Sequence, residues 1–256
     1  MIYDIQKASM LKRVSAFLLD FICLLIACTG FSFVMSSVTN YDETLKEMDT
    51  YYIEYKEEYG FDFREVTEEM YNKYTEVEKK HYDDTYELFV NDKDVVRVHN
   101  LMVSKTTLIV TIGILLGFVL TEFIVPLILK DGQTVGKKCF NICVVNENCV
   151  RVKPFVLFVR TILGKYTIET MIIVFLIISM IFGQITIVKL FVILAILVAN
   201  LTMIITNKNK AMIHDLIAYT VVVDKASQMI FENQDELIKY KEKIALQKAK
   251  DERTFK

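Results

Sequence analysis

Arg13-Val-Ser-Ala-Phe-Leu-Leu-Asp20-Phe-Ile-Cys-Leu-Leu-Ile-Ala-Cys-Thr-Gly-Phe-Ser-Phe-Val-Met35 decides how the chain is read. After Arg13 the stretch is apolar apart from Asp20, and its length suffices to cross a bilayer, since roughly 20 apolar residues rising about 1.5 Å each cover the ~30 Å hydrocarbon layer. A carboxylate within such a segment costs about 2.5–3.5 kcal/mol on insertion scales, so Asp20 must have a partner or a task.

Three further apolar blocks follow, giving spans at about 14–36, 106–129, 167–182 and 187–206. Gly183, Gln184 and Ile185 separate the last two, a break that favours a tight helical hairpin. The composition is 53% hydrophobic with two prolines and no tryptophan, and its charges are segregated between the blocks, the pattern of a multi-pass membrane protein. The apolar run around Asp20 is too long for a cleaved signal peptide and lacks a small-residue cleavage site.

Lys7, Lys12 and Arg13 precede span one, and the 130–166 segment carries Lys130, Lys137, Lys138, Arg151, Lys153, Arg160 and Lys165 against Asp131 and Glu147. The positive-inside rule therefore places both termini and this segment in the cytoplasm. The acidic segment 37–100 faces out and is expected to be a helical hairpin, with Val66, Met70, Tyr74 and Val77 on one helical face. Tyr51, Tyr52, Tyr55 and Tyr59 form either part of a solvated cap or an aromatic docking patch. Within the charged tail, 224–256, the stretch from Glu232 to Arg253 reads as a charged helix with a weak apolar stripe at Leu237, Tyr240 and Ile244, either solvated or with its lysines against anionic lipid headgroups.

Counted from the inner end of each span, Asp20, Glu122 and Asn200 lie at one depth, roughly 10–12 Å in at ~1.5 Å per residue. Two carboxylates facing each other in a low dielectric hold a proton or a cation between them, so these three residues form a candidate ion or proton site. The bland alternative is that each is satisfied separately within the bundle.

Ala8-Ser-Met-Leu-Lys-Arg-Val-Ser-Ala-Phe-Leu-Leu-Asp20, Asp131-Gly-Gln-Thr-Val-Gly-Lys-Lys138 and His214-Asp-Leu-Ile-Ala218 together resemble, in order and placement, the RDD family of membrane proteins. The resemblance implies a membrane domain over 8–223, with Arg13, Asp20 and Asp215 as the family's arginine and two aspartates and Arg160 as a recurrent arginine ahead of the following span. It also implies short strands after the second span, with Val144-Val145 and Val221–Val223 pairing into a small sheet, and Asp215 returning to meet Arg13 or Arg160. The chain departs from the family where it carries Asn141 and Tyr219 in place of common glycines, and in its long acidic insertion.

The expected fold is thus an all-α membrane protein with four transmembrane helices, an extracytoplasmic helical insertion and a small cytoplasmic β-prone segment. Family members have been proposed to act in transport, so a small cation coupled to protons, or a role as a transporter subunit, is one expectation. The other is a non-transporting membrane partner that assembles with or regulates another membrane protein, such as a protease or secretion component. No His-Glu-x-x-His, Gly-x-Ser-x-Gly or phosphate loop is present, so no enzyme chemistry is expected. Cys139, Cys143 and Cys149 match no zinc spacing, and no metal, cofactor or nucleic-acid partner is expected. The expected setting is a bacterial cell membrane, with the lipid bilayer and a homo-oligomeric or membrane-protein partner.

Overall fold

The computed structural model describes residues 5–183 and 186–254, and the side chains of 248–254 are not among those described. Among the described residues, four helices are long and apolar enough to cross a bilayer: Met10–Val38, Lys93–Leu129, Pro154–Ile181 and Ile187–Thr206. The chain is an all-α membrane protein with one two-stranded sheet. It divides into two compact units, Met1–Phe31 with Gly113–Lys256, and Ser32–Ile112.

In the first unit, α1 (Met10–Val38) presents its apolar residues outward; Ala16 and Asp20 are its buried positions. That inversion is what lipid as solvent demands, because apolar side chains cost nothing on the hydrocarbon face and polar ones must be sheltered. The second spanning helix ends through a π-helical turn, π1 (Val119–Ile124), and then Val125–Leu129. Lys130, Asp131 and Gly132 reverse the chain with three successive positive φ angles of 62°, 52° and 60°. Gly132 is required there, since a Cβ would come 3.0 Å from the Val144 Cβ as well as straining the backbone.

A short helix, Val135–Cys139, leads into β1 (Ile142–Asn146), which pairs antiparallel with β2 (Thr220–Asp224) in the register Val144↔Val222 and Val145↔Val221. Two strands alone are marginal. Here bridges at Lys7↔Val223, Val145↔Arg151 and Val150↔Phe231 extend the pairing, and the Val144 face packs with Ala8, Ala16, Val152 and Leu157. Asn141 and Tyr219, which replace expected glycines, adopt φ of 54° and 52°, so the backbone keeps the left-handed geometry and the bulkier residues bear its strain.

The third spanning helix starts at Pro154, well ahead of the expected Thr167. Its first part is polar enough to escape a hydropathy reading because Arg160, Lys165 and Glu169 are sheltered within the fold. Most of that part is a long π-helix, π2 (Val159–Met171), in which Thr167 and Thr170 donate to the carbonyls five residues earlier, Ile162 and Lys165. The hairpin residues Gln184 and Ile185 lie outside the described residues. Ile187–Thr206 follows, then a short helix, Ile213–Ile217, that precedes β2.

The tail helix, Gln234–Thr254, is not simply solvated. Leu237 is buried against Cys149, Val150 and Phe231, and the Tyr240 ring lies 5.3 Å from that of Phe231.

The second unit is built from Tyr41–Tyr59, Glu68–Lys73, Glu76–Asn91 and the start of Lys93–Phe118, with a core of Met48, Phe89, Val95 and Val98. It is therefore more than a hairpin. Thr75 and Glu78 form a capping box that starts a new helix, so the expected stripe is broken, and Met70 and Val77 are exposed. Tyr51, Tyr52 and Tyr55 pack on the core instead of forming a patch: Tyr52 and Tyr55 meet Phe89 at 5.1 and 5.0 Å between ring centroids.

Candidate functional site: a buried charge network

The first cluster grows from Asp20. Its carboxylate accepts the Gly136 backbone N–H at 2.7 Å and the Thr134 hydroxyl, and so caps the helix Val135–Cys139 from the side. Residue 136 has no room for a side chain: a Cβ would run into the Ala16 carbonyl oxygen and stand 2.9 Å from the Asp20 carboxyl carbon. Gln133 donates to the Ile142 carbonyl at 2.8 Å, and its own oxygen accepts from Lys225 at 3.1 Å. The Gly132-Gln-Thr-Val-Gly-Lys137 segment thus uses nearly every residue to fasten α1 to the sheet.

Lys137 is buried between two carboxylates, 3.7 Å from Asp20 and 3.8 Å from Glu122, and is hydrogen-bonded to the Thr134 hydroxyl at 3.0 Å. Glu122, on π1, also meets Lys165 of π2 at 2.6 Å, and its backbone carbonyl accepts from Thr161 at 3.0 Å. Burial pulls the Lys137 ammonium down to about 8; the opposing attraction of Glu122 and Asp20 does not fully restore it.

The second cluster grows from Asp215, which is 1% exposed. Arg160 donates to it through Nε at 2.9 Å and Nη2 at 2.8 Å, Arg13 approaches at 3.7 Å, and Thr220 donates at 3.2 Å. Burial by itself would raise the Asp215 carboxyl, but Arg160, His214 and Arg13 outweigh it and hold the group below the ordinary carboxylate range. His214 lies between Glu169, 2.8 Å from its Nδ1, and Asp215, 3.6 Å from its Nε2. Burial lowers its proton affinity, and its Nδ1 lies within hydrogen-bond distance of Glu169. Gly164 lets the two elements touch, since a Cβ there would come 2.6 Å from that of His214.

Asp20, Glu122 and Asp215 therefore face Arg13, Lys137, Arg160 and Lys165, while Glu169 faces His214, and this mutual compensation is what makes the burial tolerable. The structure brings Arg13, Arg160 and Asp215 together, whereas Asp20 contacts neither arginine and belongs with Lys137. It links Asp20 and Glu122 through that lysine. Asn200 joins neither cluster: its amide donates to Ile196 of its own helix at 3.4 Å, and depth alone carried no information on rotation. Lys137, Lys165, Glu169 and Thr134 escaped the sequence reading as site members. The Thr-x-Gly-Lys spacing after span two was a usable signal for Thr134 and Lys137. Lys165 and Glu169 carried none, because both look like ordinary flanking charges until the π-helical turn aims them.

Fold and site together define a polytopic membrane protein whose buried ion pairs join the spanning helices to a small sheet. The model of the RDD family matches residues 7–219, and the chain belongs to that family. No curated protein and no solved structure matches the chain.

Proposed function

We propose that the protein exchanges a small cation for protons across the bilayer, with Asp20, Lys137 and Glu122 as the exchange centre. One observation carries this reading: a buried lysine bridges carboxylates from two different spanning helices. Its proton is held weakly for a lysine, at about 8. When the ammonium gives up that proton, two carboxylates and the Thr134 hydroxyl are left with one counter-charge fewer, an oxygen-rich set suited to a hard cation. Two π-helical stretches, the turn π1 and the longer π2, flank the centre, and such geometry is frequent at functional sites.

The test is pH-driven uptake of Li⁺, Na⁺ or K⁺ by proteoliposomes of purified protein. Wild type should exchange one of these ions for protons, and Asp20→Asn, Glu122→Gln and Lys137→Met should each abolish exchange. Absence of flux with all three ions, or variants equal to wild type, overturns the reading.

A second reading is a non-transporting partner of another membrane protein. It is favoured by the acidic insertion 37–100, which lies in the unit Ser32–Ile112 with its own core and which four spans do not require. Deleting Tyr41 to Asp94 should then remove co-purifying membrane proteins while leaving the spans intact.

A further inference from the structure

Tyr219 is the least expected residue in the first unit. It is 73% exposed, adopts a left-handed φ of 52°, and gains no packing in return. An exposed tyrosine in that conformation costs the fold stability that a glycine would not.

Its surroundings fix its level. The Tyr219 carbonyl accepts the Glu147 N–H at 3.2 Å, and the Glu147 carboxylate meets the Asn209 amide at 3.4 Å. Asn209 lies three residues beyond Thr206, where the fourth apolar helix ends. Two hydrogen-bonding contacts thus tie the Tyr219 backbone to the segment just beyond a spanning helix. Exposed apolar side chains stand at the same ends of the other spans: Leu11 at 78%, Ile128 at 70% and Phe155 at 74%. Lys208 and Lys210 follow the same end of the fourth, exposed and in no ion pair among the described residues. A tyrosine tied through Glu147 to a loop that carries two lysines at the end of an apolar helix is the composition of a headgroup-level anchor: the ring enters the interface, the hydroxyl stays wet and the ammonium groups meet phosphates.

We propose that Tyr219, with Lys208 and Lys210, anchors the β1–β2 sheet to the anionic lipid surface of the leaflet at that end of the bundle. The sheet and the charge network behind it are then held against the membrane instead of projecting into solvent. The anchor is independent of any transport activity.

The chain contains no tryptophan, so Tyr219→Trp in the full-length protein creates a single reporter. In vesicles of phosphatidylcholine with phosphatidylglycerol, its emission should be blue-shifted, quenched by lipids brominated near the headgroup and shielded from aqueous acrylamide. Adding Lys208→Ser and Lys210→Ser should reduce the blue shift in anionic vesicles, since each lysine near the surface contributes about 1 kcal/mol, or ~5-fold in population of the inserted state. Should the tryptophan variant misfold, Tyr219→Gly, which relieves the backbone, serves instead. It should lose thermal stability relative to wild type in anionic nanodiscs but not in detergent micelles. Red emission with full acrylamide access and no bromolipid quenching overturns the proposal, as does equal behaviour of Tyr219→Gly in both media.

Discussion

Replacing Gly136 by alanine is the most direct test of the Asp20 anchor. The added methyl would collide with the Ala16 carbonyl oxygen and press to 2.9 Å on the Asp20 carboxylate, both on α1, so the neighbour that must yield is helix backbone and not the tip of a flexible side chain. Forcing a methyl into a packed site costs about 1–3 kcal/mol. The same displacement stretches the 2.7 Å bond from the Gly136 N–H to Asp20, and a hydrogen bond to a charged group contributes about 1.5–3 kcal/mol. Less conformational freedom in the unfolded chain returns about 0.4–1 kcal/mol. The expected net loss is about 2–5 kcal/mol, read as a lower midpoint in reversible SDS unfolding of the purified protein in micelles. Gly30→Ala is the matched control, because no atom lies within 4 Å of its Cβ position in the same helix α1. It should stabilise by about 0.5–1 kcal/mol from helix propensity. If Gly136→Ala unfolds with wild type, or if Gly30→Ala is equally damaging, the close approach of residue 136 to α1 is wrong.

Cutting one side of the second cluster, as in Asp215→Leu, strands Arg160 and should cost about 3–5 kcal/mol, while the double change Arg160→Met with Asp215→Leu should recover much of that loss. Because Asp215 is held below the ordinary carboxylate range, its stabilisation is complete above about pH 4 and is withdrawn as pH falls through its folded value; acid unfolding of Asp215→Asn should have a shallower slope than wild type. Lys137 runs the other way: with its folded pKa lowered to about 8, the unfolded chain binds more protons above that point, so its contribution to stability rises with pH from about 8 towards the free-lysine value of about 10.4. Exchange activity should likewise rise through about pH 8 in wild-type proteoliposomes, and Lys137→Met should show no exchange at any pH. Tyr219→Gly should raise stability in micelles by about 1 kcal/mol through relief of left-handed strain, measured by the same SDS titration.

The spans, the paired strands and the Arg13, Asp215 and Arg160 association were legible because each rests on a local signal or a motif. Apolar length is a sum over neighbours in sequence, and valine runs pair wherever two of them are brought together. Depth counting linked Asp20 with Glu122 but also drew in Asn200, because rise per residue gives level and not azimuth. The start of the third helix at Pro154 was illegible for the converse reason: sheltered charges lower the hydropathy of a segment that is helical throughout.

The sequence by itself determined that this chain is a four-span membrane protein with a few charges retained among apolar helices, since transfer from water to lipid depends on composition along a continuous run. Only the tertiary structure decided which charge meets which. That assignment depends on helix rotation, on the extra residue per turn in the two π-helical stretches, and on Gly136 and Gly164 admitting backbones close enough for Asp20 to reach the loop after span two and His214 to reach Glu169. Ion pairing is a short-range, three-dimensional condition, and no one-dimensional pattern contains it.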